Sequence, residues 1–105
     1  MGDHVKERLL SFRRSSQEQI CWALQAIAIW RQMDNFPEPW TFANENGNVE
    51  FEWECKNRWV VVEVTGPEEG KLLACTDDYN DEEYFKGVGS YHQVPALLEW
   101  AYNAI

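Results

Sequence analysis

The chain has 105 residues, of which 45% are hydrophobic and six are tryptophan. This length and composition predict one folded domain, residues 1–105, with its own hydrophobic core, and they argue against a disordered chain. The formal net charge of −9 at pH 7 argues against direct nucleic-acid binding, because a protein that neutralises phosphates needs lysine and arginine.

Two helices are predicted in the first third of the chain. Residues 3–12 are predicted to form a short helix because apolar residues recur on one side of it. A longer helix is predicted over residues 16–35. Ser15 and Glu18 have the spacing of a capping box at its start, and Pro37 marks its end.

The longer helix is apolar on more than one side. A helix that packs on a sheet needs only one apolar stripe, whereas this helix has two. Two explanations stay open: the other helices of the chain cover the second stripe, or that stripe is the contact face of a homodimer. The first stripe is Ile20, Ala23, Leu24, Ile27 and Trp30, and the second is Trp22, Ala26, Ile29 and Met33.

The clearest pattern in the chain is a β-hairpin. From Val49 to Cys55, apolar residues alternate with glutamates, which predicts a strand with one buried and one solvated face. Residues 58–65 are rich in β-branched and aromatic side chains and predict its partner strand. With Lys56-Asn57 as the turn, a slip of one residue would bury the glutamates, so the pattern specifies the register. Since Lys-Asn lacks the glycine of a tight turn, a longer loop stays open as an alternative.

The solvated face of the hairpin is acidic and carries a tryptophan. In the predicted register Glu50 faces Glu63, a like-charge pair that costs on the order of a few tenths of a kcal/mol. Two interpretations stay open: a solvated face that discourages aggregation, or a binding surface for a basic protein partner. The candidate binding residues are Glu50, Glu52, Glu54, Trp59 and Glu63.

The same hairpin resembles a known sequence motif. The residues G-N-V-E-F-E-W at 47–53, then Arg58 and V-V-V-E-V at 60–64, are similar to the G-G-[VI]-Q-L-E-W…G-R-x-L-E-I-E-[FI] hairpin of small bacterial proteins of unknown function. The resemblance also includes Pro37-Glu38-Pro39, while the W-D-G-x-x-A segment that many of those proteins carry is absent. It implies the hairpin fold and a bacterial or phage origin, and no activity.

Further elements follow the hairpin. A third strand is predicted over residues 71–76, with the facing of its side chains left open, and a short fourth strand at Tyr84-Phe85. Gly87 and Gly89 are expected to break the chain after it. A last helix is predicted over residues 94–105, because Pro95 suits a first helical turn. Its apolar positions, spaced to face the sheet, are Val94, Leu97, Leu98, Ala101 and Ile105.

Together these elements predict an α+β fold. A three- or four-stranded antiparallel sheet, over about residues 41–86, is packed on one face by the N- and C-terminal helices. Residues 41–43 are predicted to begin the sheet as an edge strand.

An acidic loop is the second candidate for the partner surface. It contributes Asp77, Asp78, Asp81 and Glu82. The spacing also matches the first ligands of a calcium loop, but Glu83 stands where that loop requires glycine. An ordinary solvated loop is therefore predicted.

The remaining residues give no sign of catalysis. Cys21, Cys55 and Cys75 lack the spacing of a zinc site, and they are expected to be reduced and mostly buried. His92 and a cysteine could form a nucleophile pair only by meeting in space, so a surface or capping role is expected for His92. No catalytic residue, metal or cofactor is predicted.

These patterns predict a small acidic protein-binding module, of the kind that bacteria and phages use as inhibitors, immunity proteins or antitoxins. A cytoplasmic location is expected, because the charged N-terminal residues do not form a signal peptide and no apolar run approaches the ~18 residues of a membrane span. The alternative is a homodimeric structural or assembly protein that uses the helix face of Trp22 and Met33. A third function is mimicry of a nucleic acid by the acidic surface.

Overall fold

The computed structural model describes residues 7–9, 12, 15–76 and 83–103. Within these residues, five antiparallel strands form one sheet in which each strand pairs with the next along the chain. This confirms the α+β class, with five strands instead of three or four. The strands are β1 (Trp40–Ala43), β2 (Val49–Cys55), β3 (Arg58–Val64), β4 (Glu69–Thr76) and β5 (Glu83–Ser90). The helices are α1 (Gln17–Trp30) and α2 (Val94–Tyr102), and a 3-10 turn (Tyr91–Gln93) precedes α2.

The hairpin of β2 and β3 has the predicted register and a two-residue turn. Trp53 lies opposite Val60, and Phe51 lies opposite Val62; all four side chains are buried. Lys56 in the turn has a φ of 59°, in the left-handed region that usually belongs to glycine. The Lys-Asn pair therefore closes the tight turn without glycine, at a local cost of about 1 kcal/mol.

The expectation that Gly87 and Gly89 break the chain is wrong, because β5 continues through both. Gly89 pairs with Gly70 of β4. A Cβ atom on Gly70 would collide with the backbone carbonyl oxygen of Glu63, and one on Gly89 would lie 2.5 Å from the side-chain oxygen of Gln93. Close packing against backbone therefore requires glycine at Gly70, whereas at Gly89 the neighbours are the ends of side chains.

The start of α1 differs from the predicted capping box. Ser16 is the N-cap, and its hydroxyl accepts a hydrogen bond of 3.2 Å from the backbone N–H of Gln19. The Ser15 hydroxyl instead donates to the carbonyl oxygen of Gly47 at 2.7 Å. The serine assigned to the box therefore joins the helix start to the turn before β2.

The helix also ends earlier than predicted, at Trp30 instead of residue 35. Residues 31–35 form turns, and Asn35 has a φ of 57°, a conformation that asparagine tolerates. This reversal places the Phe36 ring 6.2 Å from the Trp53 ring in an edge-to-face contact. Early termination thus adds an aromatic contact to the core.

The core lies between the helices and one face of the sheet, with Trp30 at its centre. Its ring makes edge contacts with Phe51 at 5.1 Å, Trp53 at 5.5 Å and Tyr91 at 6.0 Å. Its indole N–H donates to the carbonyl oxygen of Tyr91 at 2.7 Å. Because this bond is buried, it satisfies two polar groups that water cannot reach.

Both ends of the chain add to this core. Residues 7–9 are helical and Leu9 is buried, while most of the predicted helix over residues 3–12 lies outside the described residues. In α2 the predicted apolar positions are buried: Val94, Leu97, Leu98 and Ala101. Residues 104–105 of the predicted last helix lie outside the described residues.

Replacement of Trp30 by phenylalanine is expected to destabilise the fold by about 2–4 kcal/mol, because it leaves the Tyr91 carbonyl without its donor and opens a cavity. Urea unfolding followed by far-UV circular dichroism measures this loss. Trp40→Phe is the matched control, since Trp40 is 76% exposed and its replacement should change stability by no more than about 0.5 kcal/mol. Equal losses in the two variants would contradict the central position of Trp30.

Candidate functional site

The two helices pack on one face of the sheet and leave the opposite face without a helix in the described part of the chain. Residues that pair directly across an antiparallel sheet lie on the same face, so the register identifies the open face. We call it the outer face. Its residues include Trp40, Phe42, Glu50, Glu52, Glu54, Trp59, Val61, Glu63, Glu69, Lys71, Leu73, Cys75, Lys86, Val88 and Ser90.

These residues form rows that cross the strands. We call them row A and row B; a third, row C, is shorter. Row A is Phe42, Glu50, Glu63, Lys71 and Val88; row B is Trp40, Glu52, Val61, Leu73 and Lys86; row C is Glu54, Trp59 and Cys75.

The five candidate residues of the hairpin therefore lie together on the outer face. Sequence reasoning missed the residues of the outer strands, above all Trp40 and Val88, which are 76% and 62% exposed. It also left the facing of β4 open. Lys71 in that strand is exposed and Leu72 is buried, so the charge of Lys71 was the signal that Leu73 points outward.

A shallow hollow of about 360 Å³ lies near the middle of the outer face. Val61, Leu73 and Val88 supply its apolar side chains, and two glutamates and two lysines surround them. An apolar hollow with a charged rim is suited to an apolar side chain of a protein partner.

Charge is distributed unevenly over the outer face. Strand β2 contributes only glutamates to the outer face. The lysines of this face, Lys71 and Lys86, lie on β4 and β5. The apolar side chains of Trp59, Val61 and Leu73 lie between these two sides. The outer face is therefore acidic along β2 and apolar at its centre, and its β4 and β5 side carries two lysines together with Glu69.

The like-charge pair of Glu50 and Glu63 is present, and an asparagine joins the two carboxylates. The side-chain amide of Asn44 donates to Glu50 at 2.8 Å and to Glu63 at 2.9 Å. The Asn44 side-chain oxygen accepts from the backbone N–H groups of Asn46 and Asn48, each at 3.0 Å. One side chain thus organises the β1–β2 turn and offsets the repulsion that the pairing creates.

Glu63 has a second amide donor. The side chain of Asn48 donates to it at 2.9 Å, and this bond is the main reason that the pKa of Glu63 is lowered. Burial acts in the opposite direction, while Asn44 and the positive charge of Lys71 add to the lowering. Glu63 is consequently held in its charged form.

Gln19 connects this polar end of the sheet to α1. It is 7% exposed, and its amide nitrogen donates to the carbonyl oxygen of Val64 at 2.9 Å and to the side chain of Asn48 at 3.1 Å. Its oxygen accepts from the backbone N–H of Val49 at 3.1 Å. A buried amide with all these bonds made orients the helix on the sheet.

The other predicted surfaces are placed as follows. Asp77, Asp78, Asp81 and Glu82 of the acidic loop lie outside the described residues. In the predicted dimer face of α1, Ala26 is buried in the core, and Trp22, Ile29 and Met33 are partly buried against the core. The second apolar stripe is therefore used, at least in part, inside the chain.

The three cysteines are not joined by disulfides, and the expectation that they are mostly buried is wrong: Cys21 is exposed, and Cys55 and Cys75 are partly exposed. His92 is exposed and donates its backbone N–H to the Ser90 hydroxyl at 3.1 Å. Within the described ranges, no group of three or more His, Cys, Asp or Glu side chains is placed to hold a metal ion.

Comparisons of the chain with protein-family models, curated proteins and solved structures found no match. Among the described residues, no helix has both the length and the apolar character that crossing a membrane requires.

Asn44→Ala is expected to lower the free energy of unfolding by about 1–3 kcal/mol at pH 7, because two charged carboxylates lose their shared donor. The hydrogen bonds lower the pKa of Glu63 from its ordinary value of 4.5. Their stabilisation is therefore present above that value and lost as the pH falls through the pKa of the folded protein. The difference between wild type and variant should accordingly shrink in acid, which urea unfolding across about pH 3–7 measures.

Asn46→Ala is the control for this prediction. Asn46 is exposed in the same turn, and its replacement should change stability by no more than about 0.5 kcal/mol at any of these pH values. A loss in Asn44→Ala that is the same at pH 7 and in acid would show that the amide does not act through the carboxylates.

Proposed function

We propose that this protein is a small protein-binding module whose outer face binds a basic protein partner, without catalysis by the chain itself. The observation that carries the proposal is the outer face. Its apolar centre lies beside the glutamates of β2, and no described helix covers it. Inhibitors, immunity proteins and antitoxins of bacteria and phages act in this way, and a cytoplasmic location is part of the proposal.

Exposed aromatic area supports a contact surface. Trp40 is 76% exposed, and Trp59 is partly exposed in the neighbouring part of the outer face. Tryptophan is enriched among the residues that dominate binding energy at protein interfaces, because it offers a large apolar area with a polar N–H group. Such a side chain on the solvent side of a sheet is suited to burial by a partner.

Electrostatics support a basic partner. Glu50, Glu52 and Glu54 alternate along β2, so their carboxylates follow one line at about 7 Å intervals. A net charge of −9 adds a long-range attraction for a positively charged protein. Acidic rows of this kind raise the rate of association and select among partners more than they add to affinity.

Glu52→Lys with Glu54→Lys is expected to lower the association rate constant for the partner about tenfold or more, because it removes the attraction between the acidic strand and a basic partner. The fold should remain intact, because neither side chain belongs to the Asn44 network. The partner is first captured from a nuclease-treated lysate of the native host with the wild-type chain. It is then purified, and its association is followed by stopped-flow tryptophan fluorescence at low and moderate salt.

The matched control is Asp34→Lys with Glu99→Lys. Both side chains are exposed on the helical side of the molecule, and the double variant has the same net charge as Glu52→Lys/Glu54→Lys. The control should retain most of the wild-type rate. Equal rates in the two double variants would remove the outer face from the proposal, and competition with DNA for the same partner would favour mimicry of a nucleic acid.

A further inference from the structure

We propose that the outer face also binds a second copy of this chain, in a two-fold dimer that covers the face until a basic partner displaces it. The inference rests on the proposed function, because it assigns a competing occupant to the same surface. Its basis is that a two-fold axis can place Glu50 of one outer face opposite Lys71 of an identical face.

The apolar part of the face favours a covered state. Trp40 and Val88 are exposed at opposite edges of the sheet, and Val61 and Leu73 lie between them. Contiguous apolar surface on a soluble protein usually marks an interaction site.

A two-fold axis parallel to the strands, placed over β3, makes the faces complementary. Rotation about this axis keeps each row in place and reverses the strand order, so β2 lies over β4 of the second copy and β1 lies over β5. In row A, Glu50 then meets Lys71 of the second copy, and Phe42 meets Val88. In row B, Trp40 meets Lys86, as in a cation–π contact. Symmetry makes each contact twice.

The other in-plane axis, perpendicular to the strands, is unfavourable. This axis places each strand over the same strand of the second copy and reverses the order of the rows. Glu50 would then meet Glu54 of the second copy, and Glu52 would meet Glu52. Like charges in contact across an interface cost several kcal/mol. The perpendicular axis makes only such contacts among these glutamates, whereas the axis parallel to the strands makes one, at Glu63, and two Glu50–Lys71 pairs, so the charge pattern favours the parallel axis.

Two features keep this dimer weak enough to exchange. Glu63 lies near the axis, and its carboxylate is held towards Asn44 and Asn48 in both copies, so two like charges approach one another. Glu52 and Glu54 gain no lysine from the second copy. A basic partner that pairs with both glutamates is therefore expected to displace the second copy.

The area of the outer face also indicates a weak dimer. Five strands spaced ~4.8 Å apart, with rows A to C spanning about five residues along a strand, cover roughly 24 Å by 17 Å. Two such faces bury on the order of 800 Å² in total, the size of a weak or transient protein interface. Self-association is therefore expected only at micromolar or higher concentrations.

Sedimentation velocity of the whole chain over a concentration series tests the inference. The wild type should pass from monomer to dimer as its concentration rises. Glu50→Lys and Lys71→Glu should each remain monomeric, because each places like charges opposite one another in its own dimer. An equimolar mixture of the two variants should dimerise again, since in the mixed dimer both lysines of one variant meet glutamates of the other.

A further variant, Val88→Asp, tests the dimer without replacing a charged neighbour of Glu63. Val88→Asp changes an exposed residue, so the fold should survive, and it should raise the dissociation constant about tenfold or more. Ala28→Asp is the control, because Ala28 is exposed on α1; it should leave the dissociation constant within about twofold. Circular dichroism confirms that each variant is folded.

Several results would overturn the inference: a wild type that stays monomeric at about 1 mM, a variant mixture that does not associate, or a dimer that Val88→Asp leaves intact and Ile29→Glu abolishes. The proposed function fails separately. A monomeric chain whose partner binding is lost in Glu52→Lys/Glu54→Lys contradicts only the self-association. A dimer whose partner is indifferent to those two changes contradicts only the function.

Discussion

The alternation of apolar and acidic side chains along β2 is the constraint on which the rest of the structure depends. Its apolar members, Val49, Phe51 and Trp53, are buried, and the glutamates between them can then only face outward. The same alternation determines which side chains of β3, β4 and β5 face the core, because each strand pairs with its predecessor. The helices consequently pack on the apolar side, where Trp30 contacts Phe51 and Trp53, and the opposite side becomes an exposed surface with charge along one strand. Core and candidate binding surface are two results of one pattern.

That pattern creates a difficulty that the structure resolves at one end of the sheet. Pairing β2 with β3 brings Glu50 opposite Glu63, and the amide of Asn44 donates to both. Asn48 adds a donor to Glu63, and Gln19 connects this group to α1 through the backbone of β2 and β3. The amides therefore serve the fold and the surface together: they orient the helix, and they hold the side chains of Glu50 and Glu63 in place on the open face.

Much of this arrangement could be predicted from the sequence, because it depends on local periodicity. The register of the hairpin follows from the need to keep glutamates out of the core, and the buried side of α2 follows from helical spacing. Features that depend on tertiary contacts were missed. Gly89 belongs to β5 because it pairs with Gly70 of β4, and no sequence window shows that pairing. The N-cap falls on Ser16 because Ser15 binds the turn at Gly47. The basic and apolar parts of the outer face depend on the pairing of β4 with β5, so the candidate surface was found only in its acidic half.

The indole N–H signals of the six tryptophans test the central claim most directly. Trp30 and Trp53 are buried, Trp40 and Trp59 lie on the outer face, and Trp22 and Trp100 pack on the helical side. We would record two-dimensional ¹H–¹⁵N spectra while concentrating the protein, and again while adding the purified partner. The Trp40 and Trp59 signals are expected to move, and those of Trp22 and Trp100 to stay in place. Shifts confined to Trp22 and Trp100 would place the contact on the helices and contradict the outer face as the binding surface.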